Sequence, residues 1–306
     1  MKTRQLIIFS ILITQILYIF TGKCGVNKLN IKPKVSTLME KANENEMRFL
    51  QDKTWVPIKM VADYTYLDTQ QSKVSKEKIE LAKKVTENTL NMYRNLLSIK
   101  RINKFVKLND GCGDELSIEQ MSKDLSSTGI ETDIVIFPIF VLNAEATTEA
   151  YAFPCHMDPT SNRPISGLMA FNPENFKTEI KNAVEYYTML VVHEINHILS
   201  FNLSLFEYFV NPDTFAKLNK SDVVKEINVN GLTKQAIVTP KVVATARKHF
   251  NCDKIEGVEL ENQGGDGTAG SHWDARVMLG DFMIGETYPE NILSEITLAL
   301  FEDSGW

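Results

Sequence analysis

The sequence predicts an α+β protein, a mixed sheet backed by helices and followed by a lower part that is mostly irregular or helical. Three stretches carry this reading. After Asp133, the run Ile134-Val135-Ile136-Phe137-Pro138-Ile139-Phe140 is apolar throughout and of strand length, as a strand buried on both faces would be. From Ser75 to Lys104, Ile79, Leu81, Ala82, Val85, Leu90, Tyr93, Leu96 and Leu97 recur at helical spacing. Ile180, Ala183, Val184, Tyr187, Leu190 and Val191 keep that spacing between Pro173 and His193, and Pro173 suits a first helical turn.

Taken in order, residues 1–23 read as a signal peptide. Lys2 and Arg4 form the positive start, Leu6 to Phe20 is the apolar run, and Thr21-Gly22 offers small residues for cleavage. The run is short for a membrane span, and an uncleaved anchor is the competing reading. Either one sends the body into the secretory pathway, as a secreted or extracellular protein. No later stretch is long and apolar enough to span a membrane, and no C-terminal apolar tail signals a lipid anchor, although membrane association stays open. Residues 24–54 are polar and rich in Lys and Glu. Trp55 to Asp63 reads as the first strand, and the helix from Ser75 as the one that backs the sheet. Residues 143–161, rich in Ala, Thr and Pro, read as a loop, and Ile165 to Phe171 as the edge strand above a cleft. Thr239 and Pro240 open a further helix that runs to Phe250. The chain has 306 residues, 43% of them hydrophobic, which is enough for a large core. Its net charge of −6 is mixed along the chain and gives no reason to expect a nucleic-acid partner.

The chemistry concentrates in His193-Glu194-Ile195-Asn196-His197. On a helix, residues four apart share a face, so His193 and His197 can offer two imidazole nitrogens to one ion. Glu194 then stands beside a metal-activated water as its general base. The competing reading is an amphipathic core helix whose histidines only form hydrogen bonds. Catalytic zinc sites use three protein ligands. The chain has five histidines, which leaves His156, His249 and His272 as candidates for the third. His272 lies in glycine-rich chain, Gly264-Gly265-Asp266-Gly267-Thr268-Ala269-Gly270-Ser271-His272, which can bend sharply toward a metal. His249 suits the surface or a cap, and His156, after Cys155, suits a structural role. A Glu on a following helix, such as Glu207, is the alternative third ligand.

Several ordered stretches resemble the leishmanolysin family, the major surface proteases. They are Asn162-Arg163-Pro164-Ile165-Ser166-Gly167 leading into Phe171-Asn172-Pro173, the histidine motif, Val238-Thr239-Pro240-Lys241-Val242, Gly257-Val258-Glu259-Leu260-Glu261, Gly270-Ser271-His272-Trp273, and Leu298 to Trp306. The resemblance implies a metzincin-type zinc peptidase. His193, His197 and His272 would hold one Zn2+ per chain, Glu194 would be the base, and Met283 would form the Met-turn beneath the metal, with Met278 as nearer competitor. Residues 55–202 would be the N-terminal catalytic subdomain. Residues 203–271 would be an insertion between the second and third ligands, and 272–306 a shortened C-terminal part that lacks the family's cysteine-rich region. Residues 24–54 would be a propeptide. Its Cys24 is the one cysteine placed to act as a cysteine switch, although Gly22-Lys23-Cys24-Gly25 does not match the expected motif, so a free thiol or a bridge to Cys252 stands beside that role. A Cys112–Cys155 bridge is also implied.

Ser200 stands where the short metzincin pattern has Gly, which would let the helix end in a left-handed turn. Asn202 tolerates that conformation better and would move the turn two residues on. Asn202 and Asn219 each open a glycosylation sequon. The implied function is secreted zinc endopeptidase action on protein or peptide substrates. The alternative is an inactive or latent adhesion or binding protein on the same scaffold. Oligomeric state and substrate preference are not encoded in these patterns.

Overall fold

The computed structural model describes residues 23–24, 31–37, 39, 55–101, 105–211, 213–263, 268–286 and 291–306. The signal-peptide reading falls on residues that lie, Lys23 apart, outside these, as does most of the propeptide reading. The fold is α+β. Its strands in chain order are β1 (Lys23–Cys24), β2 (Lys34–Val35), β3 (Val56–Pro57), β4 (Met60–Ala62), β5 (Ser98–Ile99), β6 (Ile134–Phe140), β7 (Thr148–Met157), β8 (Pro164–Phe171), β9 (Val224–Val229), β10 (Leu232–Ile237) and β11 (Val258–Glu259). The main sheet has the order β1-β7-β8-β6-β4, with β2 also on β7. β4, β6 and β8 are parallel, and β7 runs antiparallel to β8.

This order corrects two expectations. β8 is an interior strand and not the edge, and the stretch read as a loop supplies the ten-residue β7. Every residue of β7 is buried, so it shows no period-two alternation to read, and its Ala, Thr and Pro residues mimic loop composition. Pro154, which lacks an N–H, is accommodated where the β7–β8 register shifts, between Pro154 and His156. With β7 at the edge of the long strands, the pairs formed by β1 and β2 cap it from the N-terminal side.

The backing helix spans Lys76–Leu96 and starts with Ser75 accepting from the Lys78 amide. It stops short of Lys104 because Ser98–Ile99 leaves to pair with Val56–Pro57, a tertiary pairing that the helical spacing does not register. The histidine helix spans Ala183–Leu199. It does not begin at Pro173. There Asn172 accepts the Glu174 amide with its side chain and the Phe176 amide with its carbonyl, which fixes a turn in place of a helix. Gly167 lets the two layers meet: a Cβ there would stand 2.3 Å from Ile198 Cγ2, so only glycine allows β8 to lie so close to the histidine helix.

The helix end differs from expectation too. Ser200 has φ −150°, and neither Ser200 nor Asn202 is among the residues with positive φ, so the chain leaves the helix without a left-handed residue. Trp306 Nε1 donates to the Leu199 carbonyl at 2.7 Å and satisfies one of the open C-terminal carbonyls.

Below the helix, Phe201, Phe206, Trp273, Met283 and Leu300 form a second core. The part after His197 is not only irregular and helical. β9, β10 and β11 make a three-stranded antiparallel sheet. Its hairpin turns at Asn230-Gly231, both at positive φ, which is the pair such a turn requires and a signal the sequence carried. The helix Pro240–His249 opens with Thr239 at its N-cap, and the last helix is Glu295–Ser304. Cys112 and Cys155 form a disulfide that ties β7 to the segment between β5 and β6. Cys24 and Cys252 are not bridged: Cys252 is exposed, and the Cys24 thiol is buried elsewhere. No helix among the described residues is long and apolar enough to cross a membrane.

Candidate metal centre

The histidine helix puts His193 and His197 on one face, buried, and the chain from Thr268 brings His272 against them. Nε2 of His193 lies 3.0 Å from Nε2 of His197 and 3.3 Å from Nε2 of His272. The Nδ1 atoms point outward to carbonyl oxygens, which can only accept. His193 Nδ1 meets the Phe282 carbonyl at 2.7 Å, His197 Nδ1 the Phe201 carbonyl at 2.7 Å, and His272 Nδ1 the Thr268 carbonyl at 2.9 Å. Each Nδ1 therefore carries the proton, and three Nε2 lone pairs converge. Lone pairs that close repel one another unless a cation stands among them. The donor set thus fits a metal ion.

Electrostatics agree. Burial pushes the His193 pKa down to about 4 and, with His193 as neighbour, that of His272 down to about 3. Burial and both neighbouring imidazoles hold His197 well below its ordinary value. All three rings are neutral near pH 7, the form that ligates. Burial pushes Glu194 up to about 8, against a hydrogen bond from Cys24. Among the described residues its Oε1 is buried without a hydrogen-bond partner.

The structure brings Cys24 into the same cluster. Its Sγ lies 3.3 Å from His197 Nε2 and 3.7 Å from Glu194 Oε2, and the four candidate ligand atoms all lie within 4.8 Å of one another. β1 carries it there by pairing Cys24 with Ala150 on β7, a long-range register that no local motif encodes.

The other candidates sit elsewhere. Glu207 lies at the surface, 3.8 Å from Lys32. His156 is buried and structural, between Ser166 Oγ at 2.8 Å and Asp110 Oδ1 at 2.6 Å. His249 is exposed at a helix end. Met283 is fully buried beside the histidine helix, with its sulfur 3.3 Å from Asn196 Nδ2, and Met278 packs in the lower core. Sequence reasoning missed Glu149. It is a buried carboxyl on β7 that accepts from Tyr186 Oη at 2.8 Å and couples to Glu194, and its neighbours Thr147, Thr148 and Ala150 give it no distinguishing signal in the sequence.

The leishmanolysin family model matches residues 71–306. Among relatives, a leishmanolysin-like peptidase of Drosophila melanogaster is 36% identical over 189 residues, 52% of this chain and 27% of that protein. One of Caenorhabditis elegans is 33% identical over 187 residues, 52% of this chain and 28% of that protein. A leishmanolysin homolog of Crithidia fasciculata is 28% identical over 221 residues, 71% of this chain and 31% of that protein. The matched stretch thus spans under a third of each of these relatives.

Proposed function

Because the chain belongs to the leishmanolysin family of metallopeptidases, we propose that it is a secreted, metzincin-type zinc endopeptidase whose N-terminal segment holds it latent. The observation that carries this reading is the convergence of three Nδ1-anchored imidazoles beside the unpartnered Oε1 of Glu194. His193, His197 and His272 would hold one zinc ion. Zinc there would supply a Lewis acid that polarises the peptide carbonyl and acidifies a water.

The rest falls to the chain itself. Glu194 accepts the proton of the attacking water and then delivers it to the leaving amine nitrogen. A bound cation favours its carboxylate form, which offsets the burial that raises it. Neutral His193, His197 and His272 keep their Nδ1 protons on carbonyls, so the rings stay aimed while the substrate turns over. β7 is the strand along which an extended substrate would add, in place of the β8 expected from the sequence. In the present form that edge carries β1 and β2, and Cys24 takes the place beside the histidines where substrate would enter.

The test is peptide hydrolysis by the secreted full chain after a thiol-reactive mercurial, with and without a zinc chelator, beside Glu194→Ala. Loss of roughly 100-fold or more in both arms is expected. Equal, chelator-insensitive turnover in Glu194→Ala would sink the reading. A zinc-loaded chain that cleaves nothing would make it a binding protein.

A further inference from the structure

The histidine motif holds one polar residue that the proposed chemistry does not use. Asn196 lies between the two metal-facing histidines in sequence and is 1% exposed. Its side-chain Oδ1 accepts from the Tyr93 hydroxyl, which reaches across from the backing helix, and its Nδ2 points at the sulfur of Met283, 3.3 Å away. Turning the amide over would aim an oxygen at that sulfur, so this is the orientation that pairs both ends. We propose that Asn196, braced by Tyr93, is a positioning residue for the metal centre: it ties the Phe282–Met283 turn to the histidine helix so that the Phe282 carbonyl keeps His193 in its ligating tautomer. The inference rests on the metal-centre reading above.

The argument follows from how the turn is held. On its far side the backbone is fixed. The Met283 amide donates to Asp281 Oδ1 at 2.7 Å, and its carbonyl accepts from the Trp273 amide at 2.8 Å. Toward the histidine helix there are two polar ties among the described residues. One is His193 Nδ1 to the Phe282 carbonyl at 2.7 Å, the other Asn196 Nδ2 to the Met283 sulfur. They stand three positions apart on the helix, so they grip the turn at two points on adjoining parts of one surface. With the His193 contact as the single polar tie, apolar packing alone sets how far the turn stands from the helix at Met283, and a small shift there tilts the ring that the Phe282 carbonyl orients. A thioether is a weak acceptor, so the contact acts through the geometry it fixes and contributes little energy of its own. Packing between the two helices does not need Asn196: Thr89 Oγ1 already reaches the Thr188 carbonyl at 3.2 Å, and apolar side chains fill the rest. Tyr93 is buried enough that its hydroxyl stays protonated far above neutrality, so it acts as a fixed donor.

The experiment compares the full chain with Asn196→Leu, Tyr93→Phe and the double variant. Three readouts are used: zinc affinity by chelator competition, the visible spectrum of the cobalt-substituted chain, and the His193 tautomer by nitrogen-15 NMR without metal. Asn196→Leu should weaken zinc about tenfold to a hundredfold, as loss of an outer partner does, alter the cobalt bands, and mix the His193 tautomers. Tyr93→Phe should fall between it and the parent. The double variant removes a phenol left with the Val192 carbonyl, 3.3 Å away, as its acceptor, and should regain thermal stability without regaining zinc affinity. Parent-like zinc affinity, cobalt spectrum and tautomer in Asn196→Leu would overturn the proposal, whatever its stability. So would a double variant that regains zinc affinity along with stability, since that is the mark of a packing role. A parent chain that holds no zinc would instead sink the metal reading, and the metal-free tautomer would then decide this inference by itself.

Discussion

The Cys24 thiol lies 3.3 Å from His197 Nε2, nearer to that imidazole than to the Glu194 carboxylate, which is 3.7 Å away. A thiol so placed meets both a metal ligand and the general base of the proposed reaction. On the latent reading, Cys24→Ala should cleave peptides without activation, while the parent chain should rise at least about tenfold on treatment with a mercurial. The check is the ratio of treated to untreated rates in both proteins. A parent chain that is fully active untreated, and unchanged by the mercurial, would show that Cys24 blocks nothing.

A second hold on the N-terminal segment lies at β2. Lys34 Nζ meets Asp110 Oδ2 at 2.6 Å, and Asp110 is itself fixed by buried His156. Burial keeps His156 below its ordinary pKa, so the ring is neutral, donates to Asp110 and accepts from Ser166. The ion pair is half-exposed, and by itself such a pair contributes little. Linked to the Cys24 contact it makes a two-point attachment, in which each point raises the effective concentration of the other. Lys34→Glu should therefore speed alkylation of Cys24 about three- to tenfold, with Lys34→Arg close to the parent and Cys252→Ser as background. Unchanged alkylation in Lys34→Glu would mean that β2 does not share in the hold.

The third ligand can be decided by deletion. His272 contributes one of the converging lone pairs, whereas Glu207 faces solvent beside Lys32. His272→Ala should weaken zinc by more than about 100-fold and abolish turnover, and Glu207→Ala should leave both unchanged. The measurement is zinc stoichiometry after dialysis, alongside peptide hydrolysis. Full zinc in His272→Ala would remove His272 from the centre.

Glu149 gives a dependence of stability on pH. Burial raises its pKa from 4.5 to about 7, with the Tyr186 hydrogen bond opposing. Between these values the folded chain holds a proton that the unfolded chain has released, so stability falls as pH rises from about 4.5 to about 7. The full loss is of order 3 kcal/mol, as an upper bound. Glu149→Gln removes this term. It should match the parent in thermal melts near pH 4.5 and exceed it at pH 8. A difference between the two proteins that does not change with pH would show that Glu149 is not held in this way.

Much of the site could be read in the sequence because its spacing is local. His193, Glu194 and His197 need only a helix to share a face, and the apolar repeat upstream supplied one. His272 was reachable through the glycine-rich chain and the resemblance around it. β7 was not reachable. A strand buried on both faces has no alternation, and Ala, Thr and Pro give it the composition of a loop. The helix starting at Ala183 and not near Pro173 has a similar cause: the side chain of Asn172 competes for backbone amides, and apolar spacing does not sense that. The β9–β10 hairpin is legible at Asn230-Gly231, the pair whose positive φ the turn requires.

By itself the sequence determined which residues could ligate, which could act as a base, and that a helix would present two of the histidines together. Those are properties of side-chain type and of a repeat a few residues long. Tertiary structure alone decided that β7 and not β8 is the outermost of the long strands, that the thiol of Cys24 reaches His197, and that Asn196 joins Tyr93 to Met283. Each of these depends on segments distant in the chain meeting at a particular register. Register is set by packing summed over the whole sheet and core, which no short stretch of sequence contains.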